Sequence, residues 1–268
     1  MTRALALLAA ASCLAAAWLP RPVRAQPLAA RVASAGDGRV QMRFAARPGV
    51  CGDGRGMIGT GRSSVMQLEG SYSTGDDDWH QRCLPGPVRV VLTTRGGTVQ
   101  RARVYVGGSD SAADVHDLGT VTTRDATDYL LSLARQGERH VGETCVIAAV
   151  LADSVTVWPA LLDIARDSTR SRAPRESATF WLSRIAAAAV NRTTLFADDE
   201  GPESDEEDVR GQAIFALSQQ PHHEGIEPLI QVVRTNKDPA MRSKALFWLG
   251  QSRDPRALTL FAEILQAN

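Results

Sequence analysis

The stretch that decides the fold is Asp238-Pro239-Ala240-Met241-Arg242-Ser243-Lys244-Ala245-Leu246-Phe247-Trp248-Leu249. Asp followed by Pro reads as a helix start: the carboxylate caps first-turn amides, and proline at the first helical position has no N–H to lose. Two upstream segments carry the same pattern, Pro174 to Arg184 and Val209 to Gln219. Counting each segment, with Met241 to Gln251 as the third, from its first residue, Arg is second, Ala fifth, an aromatic seventh and Leu ninth. The anchor alanines Ala178, Ala213 and Ala245 lie 35 and 32 residues apart.

Second apolar helices follow, Glu227 to Val233 after the second segment and Pro255 to Leu265 after the third. The unit is therefore a helical hairpin. One hairpin cannot enclose its own apolar face, so neighbours must stack and bury a continuous seam. Alanine at the fifth position is expected to let adjacent units approach closely at equivalent inward sites, with the aromatic and the leucine filling the seam. Val146 to Leu151 with Trp158 to Asp167 repeats the theme more loosely, and Ala126 to Ala134 reads as a capping helix, giving about four units. Thr123 can cap that helix, whose Ala126, Tyr129, Leu130, Leu133 and Ala134 share one face.

These segments resemble HEAT repeats of the short bacterial kind, whose D-P-x-[VM]-R-x-x-A-x-x-x-L pattern is nearly whole at Asp238–Leu249. The resemblance covers roughly residues 125–268. It implies an all-α solenoid that binds other proteins on exposed helical surfaces. Glu227, Gln231, Arg234, Arg256, Thr259 and Glu263, on the second helices, are the expected partner-binding residues.

Before residue 119 the period is that of strands. Val40 to Phe44 alternates apolar and polar residues, and Val88 to Thr93, Arg95-Gly96-Gly97 and Val99 to Val106 spell a hairpin. Between them, Gly49 to Cys83 is rich in Gly, Ser and Asp and reads as a loop held by a Cys51–Cys83 disulfide. The expected class is α+β: a small β-rich N-terminal domain over 26–118, then a HEAT-like helical-hairpin solenoid over 119–268.

Residues 1–25 read as an export signal, with Arg3 ahead of an uncharged apolar run, Ala4 to Leu19, and a small-residue cut after Ala25. A second reading makes Ala11-Ser12-Cys13 a lipobox, with Cys13 carrying a lipid anchor in an envelope-assembly component. No other uncharged stretch approaches the length of a membrane span. An exported, periplasmic or secreted chain meets an oxidising compartment, which suits the Cys51–Cys83 bridge and leaves Cys145 as a small buried hydrophobe.

The 30 basic and 30 acidic residues cancel, and cleavage after Ala25 leaves 27 against 30. That balance argues against a protein organised around nucleic acid. Gly52 to Gly56 and Gly59-Thr60-Gly61 lack the Gly-Lys-Ser/Thr that a phosphate loop delivers to a helix N-terminus. His222-His223-Glu224 are adjacent and so diverge, in contrast to metal ligands at i, i+4. HEAT-like diiron hydroxylases use several His-Glu pairs from different repeats, whereas this chain has only His223-Glu224. Asp76-Asp77-Asp78 with Trp79-His80 reads as a solvated loop, and so does the first part of the run from Asp198 to Asp208, which holds eight carboxylates in eleven residues. Its last members, Asp205, Glu206, Glu207 and Asp208, abut the positive end of the helix starting near Val209. A metal-binding or hydrolytic module built on Asp76–Asp78 or His222–Glu224 is the rival reading. No G-x-S-x-G setting occurs. The sequence thus implies no cofactor and no catalytic set, and a protein partner. Intact-mass measurement of protein recovered from the envelope is expected to find a chain beginning at Gln26; a diacylated N-terminal Cys13 would replace that reading with the lipid anchor.

Overall fold

The structure, a computed structural model, describes residues 26–60, 64–67, 82–108, 114–136, 139–193, 195 and 205–268. The expectations placed on residues 1–25 (Cys13 included), on Asp76–Asp78 and His80, and on 198–204 lie outside it. Helix α1 (Leu28–Ser34) precedes strands β1 (Gly38–Phe44), β2 (Val50–Gly52), β3 (Met57–Thr60), β4 (Ser64–Gln67), β5 (Leu84–Pro85), β6 (Val88–Arg95), β7 (Thr98–Val106) and β8 (Val115–Thr120). Helices α2 (Thr123–Gln136), α3 (Arg139–Val150), α4 (Trp158–Arg166), α5 (Arg172–Asn191), α6 (Asp205–Ser218), α7 (Ile226–Thr235), α8 (Pro239–Gln251) and α9 (Pro255–Ala267) follow. A β-rich N-terminal region followed by helices makes the chain α+β.

The main sheet has the order β7-β6-β1-β8. Alternation divides its faces. Val40, Met42, Phe44, Val88, Val90, Leu92, Ala102, Val104 and Val106 are buried on the side that meets the helices, as the period of two requires. The β6–β7 hairpin turns on Gly96 and Gly97, both with positive φ (58° and 74°), a conformation glycine adopts without steric cost. Strand β8, parallel to β1 with a register shift, was not expected. Its Val-His-Asp-Leu-Gly-Thr composition carries no clean alternation, because an edge strand is only partly covered.

The segment read as a loop, Gly49 to Cys83, instead holds most of a second sheet, β4-β3-β2-β5, where it is described. These strands are two to four residues long, too short to leave a periodic trace. The Cys51–Cys83 disulfide joins β2 to the residue before β5, with Cα atoms 5.0 Å apart and a sequence separation of 32. By the chain-entropy model, a loop of that size contributes about 3–4 kcal/mol.

Arg47 fastens the sheet to the helices. Its Nε donates to Val150 O at 2.8 Å and its Nη2 to Val155 O at 3.0 Å, while Arg47 N bonds Leu151 O and Asp153 N bonds Ala45 O. Burial pulls the Arg47 pKa down, and Asp153 acts in the opposite sense.

Pairing of the helices differs from the expected register of units. The hairpins are α2–α3, α4–α5, α6–α7 and α8–α9, so the first motif segment lies in the second helix of its hairpin while the other two lie in first helices. Thr122, not Thr123, caps α2, its Oγ1 accepting from Asp125 N at 3.1 Å. On α2, Leu131 is buried and Tyr129 and Leu133 are half-buried.

The stacking order also departs from chain order. Helix α8 packs on α5 on one side and on α6 and α7 on the other, and α9 packs on α4, α5 and α7. The fourth hairpin therefore sits between the second and the third. Helices α5 and α8 run antiparallel: Asn191 Nδ2 donates to Pro239 O (3.1 Å) and Ser243 Oγ (2.7 Å), and Arg253 Nε meets Glu176 at 2.7 Å at the other end. A Cβ on Gly250 would lie 2.8 Å from Ser183 Cβ, so glycine permits this approach. Helices α6 and α8 are parallel, with the Phe215 and Trp248 ring centroids 5.0 Å apart.

The anchor alanines are accordingly not equivalent. Ala178 and Ala245 are fully buried. Ala213 is exposed, because α6 belongs to the terminal hairpin and its outer side is uncovered among the described residues. Phe215 and Phe247 are 46% and 38% exposed, so the seam is filled by Leu182, Leu246 and Leu249 and not by those aromatics. Substituting leucine tests the order directly. Ala245→Leu is expected to lower stability by about 1–3 kcal/mol through overpacking, and Ala213→Leu to change it by less than about 0.5 kcal/mol. Urea unfolding decides; equal losses at both sites contradict the stacking order.

Candidate functional site

Where the fourth hairpin docks against the second, it leaves a cleft of about 1350 Å³, bounded by β7, α3, α5 and the α8–α9 turn. Strand β7 brings Arg101, α3 brings His140, Glu143 and Thr144, and α5 brings Arg172, Arg175, Glu176 and Phe180. The α8–α9 turn adds Arg253 and Asp254, and α9 adds Leu258. Because α5 presents successive turns to the cleft, residues at i, i+3 and i+4 share its wall.

A charge network spans the rim. Glu176 Oε1 accepts from Arg172 Nε at 2.8 Å and from Arg253 Nε at 2.7 Å, tying α5 to the α8–α9 turn. Both arginines are well exposed, so this network is worth little in stability and serves to present guanidinium groups. Phe180 and Trp181 meet edge to face at 5.3 Å. Arginine forks beside an apolar floor of Phe180, Ile147 and Leu258 can engage carboxylates and apolar side chains of a polypeptide together.

Asp254 organises the turn. Its Oδ1 accepts from Arg256 N at 2.9 Å and from Arg256 Nε at 3.0 Å, and its Oδ2 accepts from Arg256 Nη2 at 2.9 Å. His223 Nδ1 stands 3.4 Å from that second oxygen. The Arg256 side-chain bonds hold the Asp254 carboxyl below the usual carboxylate range, against a smaller opposing effect of burial.

The six expected partner-binding residues lie elsewhere. Glu227, Gln231, Arg234, Arg256, Thr259 and Glu263 are exposed along α7 and α9, and none lines the cleft. They form a linked ridge: Gln231 donates to Glu227 at 3.1 Å, and Arg234 bonds Glu263 at 3.0 Å. His222, His223 and Glu224 occupy an exposed turn, with His222 and His223 both at positive φ (55° and 60°). Among the described residues no group of three His, Cys, Asp or Glu side chains is placed to hold a metal, and no helix is long and apolar enough to cross a membrane. Cys145 is buried, and burial raises its pKa to about 12.

The cleft residues went unnoticed in the sequence, although Arg175 is the second-position arginine of the repeated motif. They come from separate elements and meet only through the out-of-order packing of α8 on α5.

Asp254→Ala removes a helix cap and an ionic anchor together, and is expected to cost about 1–3 kcal/mol at neutral pH. The contribution of a carboxyl with a lowered folded pKa is complete above its ordinary value of 3.8 and disappears as pH falls through the lower folded value. Asp254→Asn should therefore flatten part of the loss of stability measured by urea unfolding below pH 4. Asp167, held down to about 2 by bonds from Thr169 and then Arg170, keeps a residual acid dependence in that variant. An unchanged acid profile in Asp254→Asn would contradict the assigned role.

The family model described as HEAT repeats matches residues 202–268. No curated protein and no solved structure matches the sequence. The matched residues are α6 to α9, the two hairpins in which the motif helix leads and a second apolar helix follows. Residues 202–268, the C-terminal two hairpins, thus match HEAT repeats.

Proposed function

We propose that this chain is an exported, non-catalytic scaffold of the cell envelope that holds a protein partner in the cleft between β7, α3, α5 and the α8–α9 turn. The observation that carries this reading is the cleft itself, about 1350 Å³ and lined by arginine, carboxylate and aromatic side chains, beside HEAT repeats, which suggest protein interaction at the coarse level. HEAT repeats are in general non-catalytic, which agrees with a scaffold. The apolar Ala4–Leu19 run with its Ala25 cut supports export, and the Cys51–Cys83 disulfide suits an oxidising compartment. The exposed ridge of Glu227, Gln231, Arg234, Arg256, Thr259 and Glu263 supplies a second contact surface for the same partner.

Site-specific photocrosslinking in intact envelopes tests the reading. A crosslinker replacing Thr179 or Gln251, both on the cleft wall, is expected to give one common protein adduct, reduced several-fold by Arg172→Glu. Adducts from Gln231 but from neither cleft position would move the site to the ridge. Adducts from none of the three would overturn the scaffold reading.

A further inference from the structure

Two charged side chains of the cleft stand apart from its rim network. Glu176 is shared by Arg172 and Arg253, Asp254 is held by Arg256, and Arg101 has partners of its own. Arg175 and Glu143 are different. Arg175 is half-buried, and among the described residues its one side-chain bond runs from Nε to Ala165 O at 3.4 Å, which leaves Nη1 and Nη2 unused. Glu143 is half-buried as well, and no hydrogen bond or ion pair reaches its carboxylate from any described residue.

The repeated motif shows what its second-position arginine does elsewhere. Arg242 donates from Nε to Asn191 Oδ1 at 3.0 Å and from Nη1 to the carbonyls of Asn236 and Lys237 at 2.9 and 3.0 Å, so its fork is spent on the fold. Arg210 is engaged too. Arg175 holds the same place in its segment, yet keeps the end of its fork for the cleft. Glu143 lies across from it. A Cβ on Gly142 would stand 3.0 Å from Pro174 Cβ, so Glu143 and Arg175, the next residue along each helix, flank one contact between α3 and α5. No ion pair joins them. Half-buried charges without partners cost desolvation and return nothing to stability, a state typical of groups kept for binding.

We propose that Arg175 and Glu143 are the recognition pair of the cleft, and that they take a polypeptide segment carrying an acidic and a basic side chain on either side of an apolar one. The inference rests on the cleft reading given above and supplies the chemistry of its partner. The free end of the Arg175 fork matches a carboxylate, and the Glu143 carboxylate accepts from an ammonium or guanidinium group. Ile147, one helical turn beyond Glu143, and Phe180 line the same cleft and can receive the apolar side chain. An all-acidic segment would bring like charge to Glu143, and an all-basic one would bring it to Arg175. A nucleic acid would meet Arg175 with phosphate and be repelled by Glu143.

Photocrosslinking from Thr179 of the full chain in intact envelopes tests the pair. Arg175→Gln and Glu143→Gln are each expected to lower the adduct yield about tenfold. The midpoint of urea unfolding should stay equal or rise, because each substitution removes a charge that has no partner. Arg175→Lys, which keeps the charge and loses the fork, is expected to lower the yield several-fold. Mass spectrometry of the adduct should place an acidic and a basic residue beside the crosslinked position of the partner. A yield that either glutamine substitution leaves unchanged overturns the pairing and leaves the protein partner of the cleft in place. A midpoint that falls with the yield assigns both groups to the fold and overturns it as well. So does a mapped segment with charges of one sign only. Absence of adducts from both Thr179 and Gln251 in the otherwise unsubstituted chain removes the cleft reading, and this inference with it.

Discussion

The close crossing of α8 over α5 is the constraint on which the helical half depends. It is possible because Gly250 carries no side chain where Ser183 lies, and Ser183 turns its hydroxyl inward to Phe180 O at 2.7 Å. One end is clamped by Asn191, which donates to Pro239 O and Ser243 Oγ and accepts from Arg242 Nε at 3.0 Å. The other end is held by Glu176 between Arg172 and Arg253. A bulkier residue at position 250 would separate the helices and, with them, the walls of the cleft. The site is thus a by-product of how the hairpins dock, and its geometry is as firm as that crossing.

Element identity was largely legible in the sequence, and element assembly was not. The Asp238-Pro239 and Asp254-Pro255 starts form as expected, each aspartate accepting from the amide two residues on, at Ala240 and Arg256. The β6–β7 hairpin and the Cys51–Cys83 pairing were readable for the same reason: their determinants are local or few. What failed was the inference from repetition to equivalence. Ala178, Ala213 and Ala245 share a sequence pattern, yet only two are covered, because covering is decided by which distant helix arrives. Periodicity states that a face wants burial; it does not name the neighbour. The cleft was illegible for that reason, with Arg101, Glu143, Arg172 and Arg253 coming from parts of the chain that share no pattern. The exposed ridge of α7 and α9, by contrast, followed from helical phase alone.

Two surfaces with different chemistry meet at β7. On the helical side, carboxylates and guanidinium groups alternate around an apolar floor, and Glu176 balances two arginines. On the outer side of the sheet, Arg39 and Arg43 are paired with Asp114 and Asp117. Arg101 belongs to both, lining the cleft and a groove beside the β2–β3 turn. Arg47, anchoring sheet to helices through two carbonyls, keeps these surfaces in fixed relation.

The out-of-order stack also bears on the timing of biogenesis. Helices α5 and α6 are both synthesised before α8, yet each packs one of its faces on α8. A nascent chain that has progressed only as far as α7 therefore holds two unfinished apolar faces and no means of closing either. Completion of the helical half waits for translation of residues 239–268, and until then the growing polypeptide is a client for chaperones and a candidate for aggregation.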